Sequence, residues 1–259
     1  MASIFVTGSS AGIGLETGRT LVGMGHRVVL HARDKAKAAE AGETVPGATA
    51  VVTGDLSSLS QTRQLAEAAE AEGPYDVIVH NAGVGGGASR REVTEDGLER
   101  IFQVNVIAPY LLTALMGRPA RLIYLTSGLQ ERGVVDLEDL QFERRAWDGM
   151  QAYSDSKLYD VVLTLAVARH WSGALVNAVD PGWIKTRMGG PGAPDPVHLG
   201  AETPVWLATS DEPAALVSGR YWKRRRVMEV NPAAEDEALQ DRFLEICGAL
   251  SGVVFPMGA

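Results

Sequence analysis

One cysteine, Cys247, stands in 259 residues, so no internal disulfide can form, and such sparing thiol use fits a reducing cytosol. Long apolar runs are missing as well: none approaches the ~18 residues that a membrane-crossing helix needs. The opening Met1-Ala2-Ser3-Ile4-Phe5-Val6 carries no basic stretch and runs straight into a strand-like segment, so no signal peptide is expected and the protein reads as cytoplasmic, without a membrane partner. The histidines (His26, His31, His80, His170, His198) are scattered and form no His-x3-His or Glu-x2-His spacing, which argues against a metal site. Without a Gly-x-Ser-x-Gly elbow, a serine hydrolase lacks its usual context. A formal charge of −8 argues against nucleic acid as a partner; the one basic run, Lys223-Arg224-Arg225-Arg226, reads as a solvated surface loop. Repeats, low-complexity tracts and linkers are absent. What remains is a chain with 46% hydrophobic and 22% charged residues, ordinary globular values, long enough for one large α/β domain.

Strand-like and helix-like segments alternate. Ser3-Ile4-Phe5-Val6-Thr7 reads as a buried strand leading into Gly8-Ser9-Ser10-Ala11-Gly12-Ile13-Gly14, and a helix-period run (Leu15, Arg19, Leu21, Val22) follows. Glycines between a strand and a helix allow a tight turn and let backbone approach a ligand. The free N–H groups of the helix then favour an anion such as a diphosphate. The spacing, Gly-x3-Gly-x-Gly, is not the commoner dinucleotide fingerprint. A second strand, Arg27 to His31, ends in Ala32-Arg33-Asp34, where a dinucleotide's adenosine ribose would lie. An arginine there accommodates a 2′-phosphate, which favours NADP(H) through Arg33; Asp34 turning back to the ribose would allow NAD(H). Thr49 to Thr53 forms a third strand, closed by Gly54-Asp55-Leu56, where Asp55 either meets adenine or serves as a helix N-terminal acid.

Leu59 to Glu72 reads as a helix, Asp76 to His80 as a strand ending in Asn81-Ala82-Gly83, and Val84 to Arg91 as a loop. The next helix is expected from Thr94 to about Leu115, with Thr94-Glu95-Asp96 as its cap and acidic first turn. Asn105 falls within its apolar stripe, either as a satisfied core amide or as a functional amide holding water or backbone beside a site. Arg121 to Leu125 is a fifth strand with Thr126-Ser127 at its carboxyl end, where ligands bind in such sheets. Gly128 to Met150 shows no strong period. The strand Ala174 to Val179 precedes Asp180-Pro181-Gly182-Trp183-Ile184-Lys185-Thr186, and the loop composition that follows marks a substrate lid over about 183–200. A short helix near Thr203 to Ala208, a strand Gly219 to Trp222 and a helix Glu235 to Leu250 complete a doubly wound, largely parallel α/β sheet of Rossmann type in one domain, residues 1–259.

The stretch on which the chemistry turns is Tyr153-Ser154-Asp155-Ser156-Lys157, at the head of the apolar helical run Leu158 to Ala168. Four residues are roughly one helical turn, so Tyr153 and Lys157 share a face. An ammonium near a phenol favours the phenolate, which suits acid–base work at a carbonyl or alcohol.

Taken in order, Thr7-Gly8-Ser9-Ser10-Ala11-Gly12-Ile13-Gly14, Asp55-Leu56, Asn81-Ala82-Gly83, Asn105, Ser127, Tyr153-x-x-x-Lys157 and Pro181-Gly182 resemble the short-chain dehydrogenase/reductase family along nearly the whole chain. Leu137 to Gln141 and Ala152 to Leu158 look like its retinol-dehydrogenase-like branch. The resemblance implies an NAD(P)-dependent oxidoreductase of ketones, aldehydes or alcohols, with Tyr153 as general acid or base, Lys157 tuning it and bonding the nicotinamide ribose, Ser127 polarising the substrate oxygen and Asn105 holding a water. It implies a cofactor site from Gly8, Ser10, Gly12, Ile13 and Gly14 at the diphosphate, and from Asp55, Leu56, Asn81, Ala82 and Gly83 toward adenosine. Pro181, Gly182, Ile184 and Thr186 would face the nicotinamide. A small-molecule substrate and a homo-oligomer, dimer or tetramer, are implied in the same way. Ala11 stands where NADP users of the family often carry a basic residue, so phosphate recognition would rest on Arg33. The membrane anchor of many relatives in that branch is not seen, so a lipid-soluble retinoid is not implied.

Overall fold

The computed structural model describes residues 1–85 and 87–258; Gly86, within the loop read from Val84 to Arg91, and Ala259 lie outside the described residues. Eight strands form a single sheet in the order β3-β2-β1-β4-β5-β6-β7-β8. These are β1 (Ser3–Val6), β2 (Arg27–Ala32), β3 (Ala50–Thr53), β4 (Val77–His80), β5 (Arg121–Leu125), β6 (Leu175–Asp180), β7 (Arg220–Lys223) and β8 (Arg226–Met228). Every pairing is parallel except β7 with β8. Parallel strands need crossover helices on the sheet faces, so the inner strands β1, β2, β4, β5 and β6 are buried on both sides and read as largely apolar runs. Along β1 the side chains divide as the pleat demands. Ile4 and Val6 join one core with Leu21, Leu30 and Trp206, and Phe5 joins the other with Leu65, Tyr110, Tyr159 and Phe243.

Helices α1 (Gly12–Gly23), α2 (Lys35–Thr44) and α7 (Val197–Thr209) contribute to the first core, and α3 (Leu59–Glu72), α5 (Ala108–Leu115), α6 (Gly149–His170) and α8 (Glu237–Ser251) to the second. Strand order reverses between β1 and β4, and the crevice at their carboxyl ends is where such sheets take ligands.

Several expectations from the sequence need correction. The helix read from Thr94 does not start there. Gly97 takes φ +78 in a turn, and Glu99 caps the single turn α4 (Arg100–Phe102) by accepting from the Ile101 and Phe102 N–H groups. A π-helical turn, Gln103–Ile107, then leads into α5. α7 starts at Val197 rather than Thr203, so the end of the stretch read as a lid is already helical; Gly200 packs there, where a Cβ would stand 3.0 Å from Ile13 Cγ1. The basic run is no loose loop: it forms the β7–β8 hairpin, with Arg224 and Arg225 at φ 48 and 57. A two-residue turn of that hand normally uses Asn or Gly. Here it is clamped by Arg224 to Asp195 at 2.8 Å, Arg225 to Glu202 at 3.0 Å and Lys223 to Asp180 at 2.8 Å.

Candidate active site

The crevice begins at the glycine turn. Gly8 takes φ +61, and a Cβ there would stand 2.7 Å from Ala82 Cα; one on Gly14 would fall 2.3 Å from Asn81 Nδ2 and 2.5 Å from the Gly8 carbonyl oxygen. No side chain fits at either place. Asn81 sews the turn to β4 by donating to the carbonyls of Thr7 (2.8 Å) and Gly8 (3.0 Å), while Thr7 Oγ1 accepts the N–H groups of Asn81 and Ala82. α2, α3, α6 and α8 all have side-chain caps, from Asp34, Ser58, Asp148 and Asp236. α1 follows Ala11 and α7 follows Pro196, and neither residue supplies one. The first N–H groups of α1, at the crevice, are claimed by no side-chain cap, and donors of that kind suit an anion such as a diphosphate.

At the tip of β2, His31 is buried and bridges two loops: its Nδ1 accepts from Gly8 N–H at 2.9 Å, and Nε2 faces the Gly54 carbonyl at 2.9 Å. Burial holds its pKa below the usual imidazole value, against the Gly54 carbonyl and Asp55. A neutral ring, protonated on Nε2, satisfies both bonds. Asp34 is committed elsewhere, accepting the Lys37 N–H at 2.9 Å as the α2 cap, and Arg33 stays exposed beside it. Asp55 Oδ1 accepts from Ser57 N and Oγ, and Leu56 is buried.

Deeper in the crevice, a Cβ on Gly83 would lie 3.3 Å from Asn105 Oδ1 and 3.6 Å from Lys157 Nζ, so the loop after β4, the π turn and α6 meet at one point. Asn105 is buried and fully used: Oδ1 accepts from Val84 N–H at 2.8 Å, and Nδ2 donates to the Val84 carbonyl at 3.1 Å and Ser156 Oγ at 2.9 Å. Its side chain is satisfied by these bonds and at the same time holds the Val84 backbone beside the crevice. Lys157 Nζ lies 5.8 Å from the centre of the Tyr153 ring and donates to the Leu125 carbonyl (3.1 Å) and Asp160 Oδ2 (2.7 Å). Thr126 Oγ1 donates to the Lys157 carbonyl and fixes that turn of α6 to the end of β5. Ser127 Oγ accepts from Leu129 N–H at 3.2 Å, which leaves its own proton free to be donated.

Residues 2–195 match the model of the short chain dehydrogenase family. An uncharacterized oxidoreductase of Emericella nidulans is 41% identical over the full length of both chains. The chain belongs to the short-chain dehydrogenase/reductase family. Human retinol dehydrogenase 13 is 31% identical, over 98% of this chain and 86% of the relative, which sets the chain in the retinol-dehydrogenase-like branch. Among solved structures, an uncharacterized protein from Mycobacterium paratuberculosis superposes with a TM-score of 0.85 at 26% identity, covering 99% of this chain and 96% of the other. A blue fluorescent protein from a metagenomic library, solved in complex with NADPH, reaches 0.69 at 27% identity, over 86% and 95%. The chain is thus an NAD(P)(H)-binding oxidoreductase by family, and none of its described helices is long and apolar enough to cross a membrane.

In this short-chain dehydrogenase/reductase the loop after β6 closes over the glycine turn. A Cβ on Gly12 would meet Thr186 Cγ2 at 3.2 Å, and Gly182 takes φ +92 beside Pro181. Ile184 is buried and bridges to Asp195, and Thr186 Oγ1 accepts from Gly189 N–H. The segment from Gly128 to Met150, patternless in sequence, is organised by charge. Arg145 reaches Asp139 at 3.2 Å and Asp155 at 3.2 Å, both carboxylates almost fully buried, and its guanidinium lies 3.9 Å over the Phe142 ring. Sequence reasoning missed three residues of this dehydrogenase's site: His31 as a brace, Thr7 as a double acceptor, and Asp160. The signal for Asp160 was available, an acid three positions after Lys157 inside an apolar run.

Proposed function

We propose that the protein is an NADP(H)-preferring carbonyl reductase, reversible in direction, that converts a ketone or aldehyde to an alcohol. The carrying observation is the meeting of Gly83, Asn105 and Lys157 beside Tyr153 at the β1–β4 crevice. When bound, the nicotinamide cofactor supplies or accepts the hydride. Ser127 donates a hydrogen bond to the substrate oxygen, keeping its own proton, and orients it. Tyr153 gives a proton to that oxygen in reduction and takes it in oxidation. The Lys157 ammonium, one turn on, stabilises the phenolate left behind. Gly8, Ser10, Gly12, Ile13 and Gly14 would hold the diphosphate, Asp55, Leu56 and Asn81 to Gly83 the adenosine end, and Pro181, Gly182, Ile184 and Thr186 the nicotinamide end. Residues 183–196 would act as the lid. Trp183 and Met188 on it, and Met150 in the first turn of α6, are more than half exposed, an apolar character that suits an apolar carbonyl compound. Trp147 instead packs on Phe142 and donates to the Ala88 carbonyl, so it belongs to the wall. A homo-oligomer in the cytoplasm is the setting that the family resemblance and the lone buried cysteine support.

The test is a screen of ketones and aldehydes with NADPH and NADH, followed by loss of reduced-nicotinamide absorbance. Dinucleotide binding with no turnover of any carbonyl or alcohol would favour a regulatory, cofactor-binding role instead. The preference for NADP(H) rests on Arg33, exposed at the tip of β2 and 3.5 Å from the Asp34 carboxylate, while Asp34 is held as the α2 cap. Arg33→Ala should weaken NADPH binding about tenfold, ~1.4 kcal/mol, and leave NADH little changed. Equal weakening of both would remove the 2′-phosphate assignment.

A further inference from the structure

Asp160 is the buried acid that the mechanism above does not use. It lies on α6, 2% exposed, with Oδ2 at 2.7 Å from Lys157 Nζ, itself 5% exposed. An ion pair sealed from water to this degree interacts strongly, and each member controls the field the other projects. Asp160 also lines a small cavity of about 10 Å³, close to the size a single water needs, with Thr7, His80, Asn105 and Tyr124 among its polar lining and Leu112 and Leu125 among its apolar lining. His80 is linked through Thr113 to the Tyr124 hydroxyl, and its Nδ1 is buried with no partner among the described residues, so the pocket has a polar side.

We propose that Asp160 is a positioning residue for proton transfer: its carboxylate holds the Lys157 ammonium against the end of β5 and partly cancels that cation's field at Tyr153. The charge on Asp160 thus sets how readily Tyr153 releases its proton. The proposal rests on the reductase reading of Tyr153 and Lys157. Lys157 is the charged group facing Asp160 among the described residues. The titratable neighbours are Tyr124 on β5 and His80 on β4, with Tyr153 on its own helix. Burial pushes the Asp160 carboxyl up to about 6, against the pull of Lys157. Burial works against the Lys157 charge, yet Asp160 and, more weakly, Tyr153 keep its pKa above the ordinary ammonium value. His80 stays neutral, burial having pushed it down to about 3, and burial raises Tyr124. At neutral pH the pair is therefore ionised and the Lys157 charge is partly offset by Asp160. Below about pH 6 Asp160 takes a proton and the cation acts alone.

Asp160→Asn keeps the side-chain shape and removes the charge. The readout independent of turnover is the tyrosinate absorbance of each protein minus that of its Tyr153→Phe counterpart, titrated against pH. In Asp160→Asn this difference signal should appear about one pH unit lower than in the wild type. The acid limb of alcohol oxidation should move down by the same amount, with the two profiles converging below about pH 6. Thermal melting confirms that the variant is folded, and Asp160→Ser replaces it if it is not. An unmoved signal, or one displaced upward, in a folded variant overturns the proposal and leaves Asp160 a structural acid, even with carbonyl turnover intact. A downward shift in a protein that turns over no carbonyl upholds the coupling while removing the reductase reading.

Discussion

Tyr153→Phe is expected to lower kcat/KM for carbonyl reduction by about 10³-fold while dinucleotide affinity stays within about twofold. The substitution removes one oxygen and keeps the ring, so the packing of α6 is untouched. What is lost is the group that exchanges a proton with the substrate oxygen. Ser127 does not replace it: among the described residues its hydroxyl is held by the N–H of Leu129 and by no charged group that would make it an acid. Steady-state rates and direct titration of the cofactor separate chemistry from binding. If the variant kept more than about a tenth of the wild-type rate, the proton would have to come from elsewhere, and the reaction assigned to this crevice would need another acid.

The second large effect concerns stability. Arg145→Ala should cost about 3 kcal/mol and lower Tm by about 10 °C. Arg145 is the cation between Asp139 and Asp155, and both carboxylates are left buried when it goes. Their remaining partners are backbone N–H groups and the Gln151 amide: Glu143, Arg144 and Arg145 N–H on Asp139, Val134 N–H and Gln151 Nε2 on Asp155. Those donors carry no full charge. Because Asp155 lies between Tyr153 and Lys157 on α6, the same variant should also lower activity below the melting transition. Thermal unfolding followed by circular dichroism measures the first effect; a loss under about 1 kcal/mol would mean that water reaches the pair and screens it.

Much of this architecture is written locally in the chain. α3 and β5 are bounded as their sequence pattern implies, Leu59 to Glu72 and Arg121 to Leu125, since one has a helical apolar stripe and the other is buried on both faces. α2 escapes such reading because Lys35 to Thr44 is rich in Ala, Lys and Glu and buries only Ala41. β8 escapes it because Arg226, Val227 and Met228 are all exposed, and only pairing with β7 makes them a strand. The residues from Thr94 to Leu115 look like one helix because apolar period is blind to a glycine turn at Gly97 and to the extra residue of a π turn. The site divides similarly. The glycine turn, Asn81 to Gly83, Asn105, Tyr153 and Lys157 are legible by type and order, and the fold brings them to one crevice. The bracing of Gly8 by His31 and the pairing of Arg145 with Asp139 and Asp155 depend on contacts between distant segments, which no spacing encodes.

The clamp between Arg224 and Asp195 has a wider consequence. It couples the last, antiparallel hairpin of the sheet to the segment that arches over the glycine turn, so the rim of the crevice, packed inside through Ile184 and Ala193, is also tethered from outside by charge. Attractions of that kind are weak and fade as ions crowd the surface. The ease with which molecules enter and leave should therefore answer to the saltiness of the medium, while the buried ion pair beside Tyr153, hidden from those ions, should hardly notice it.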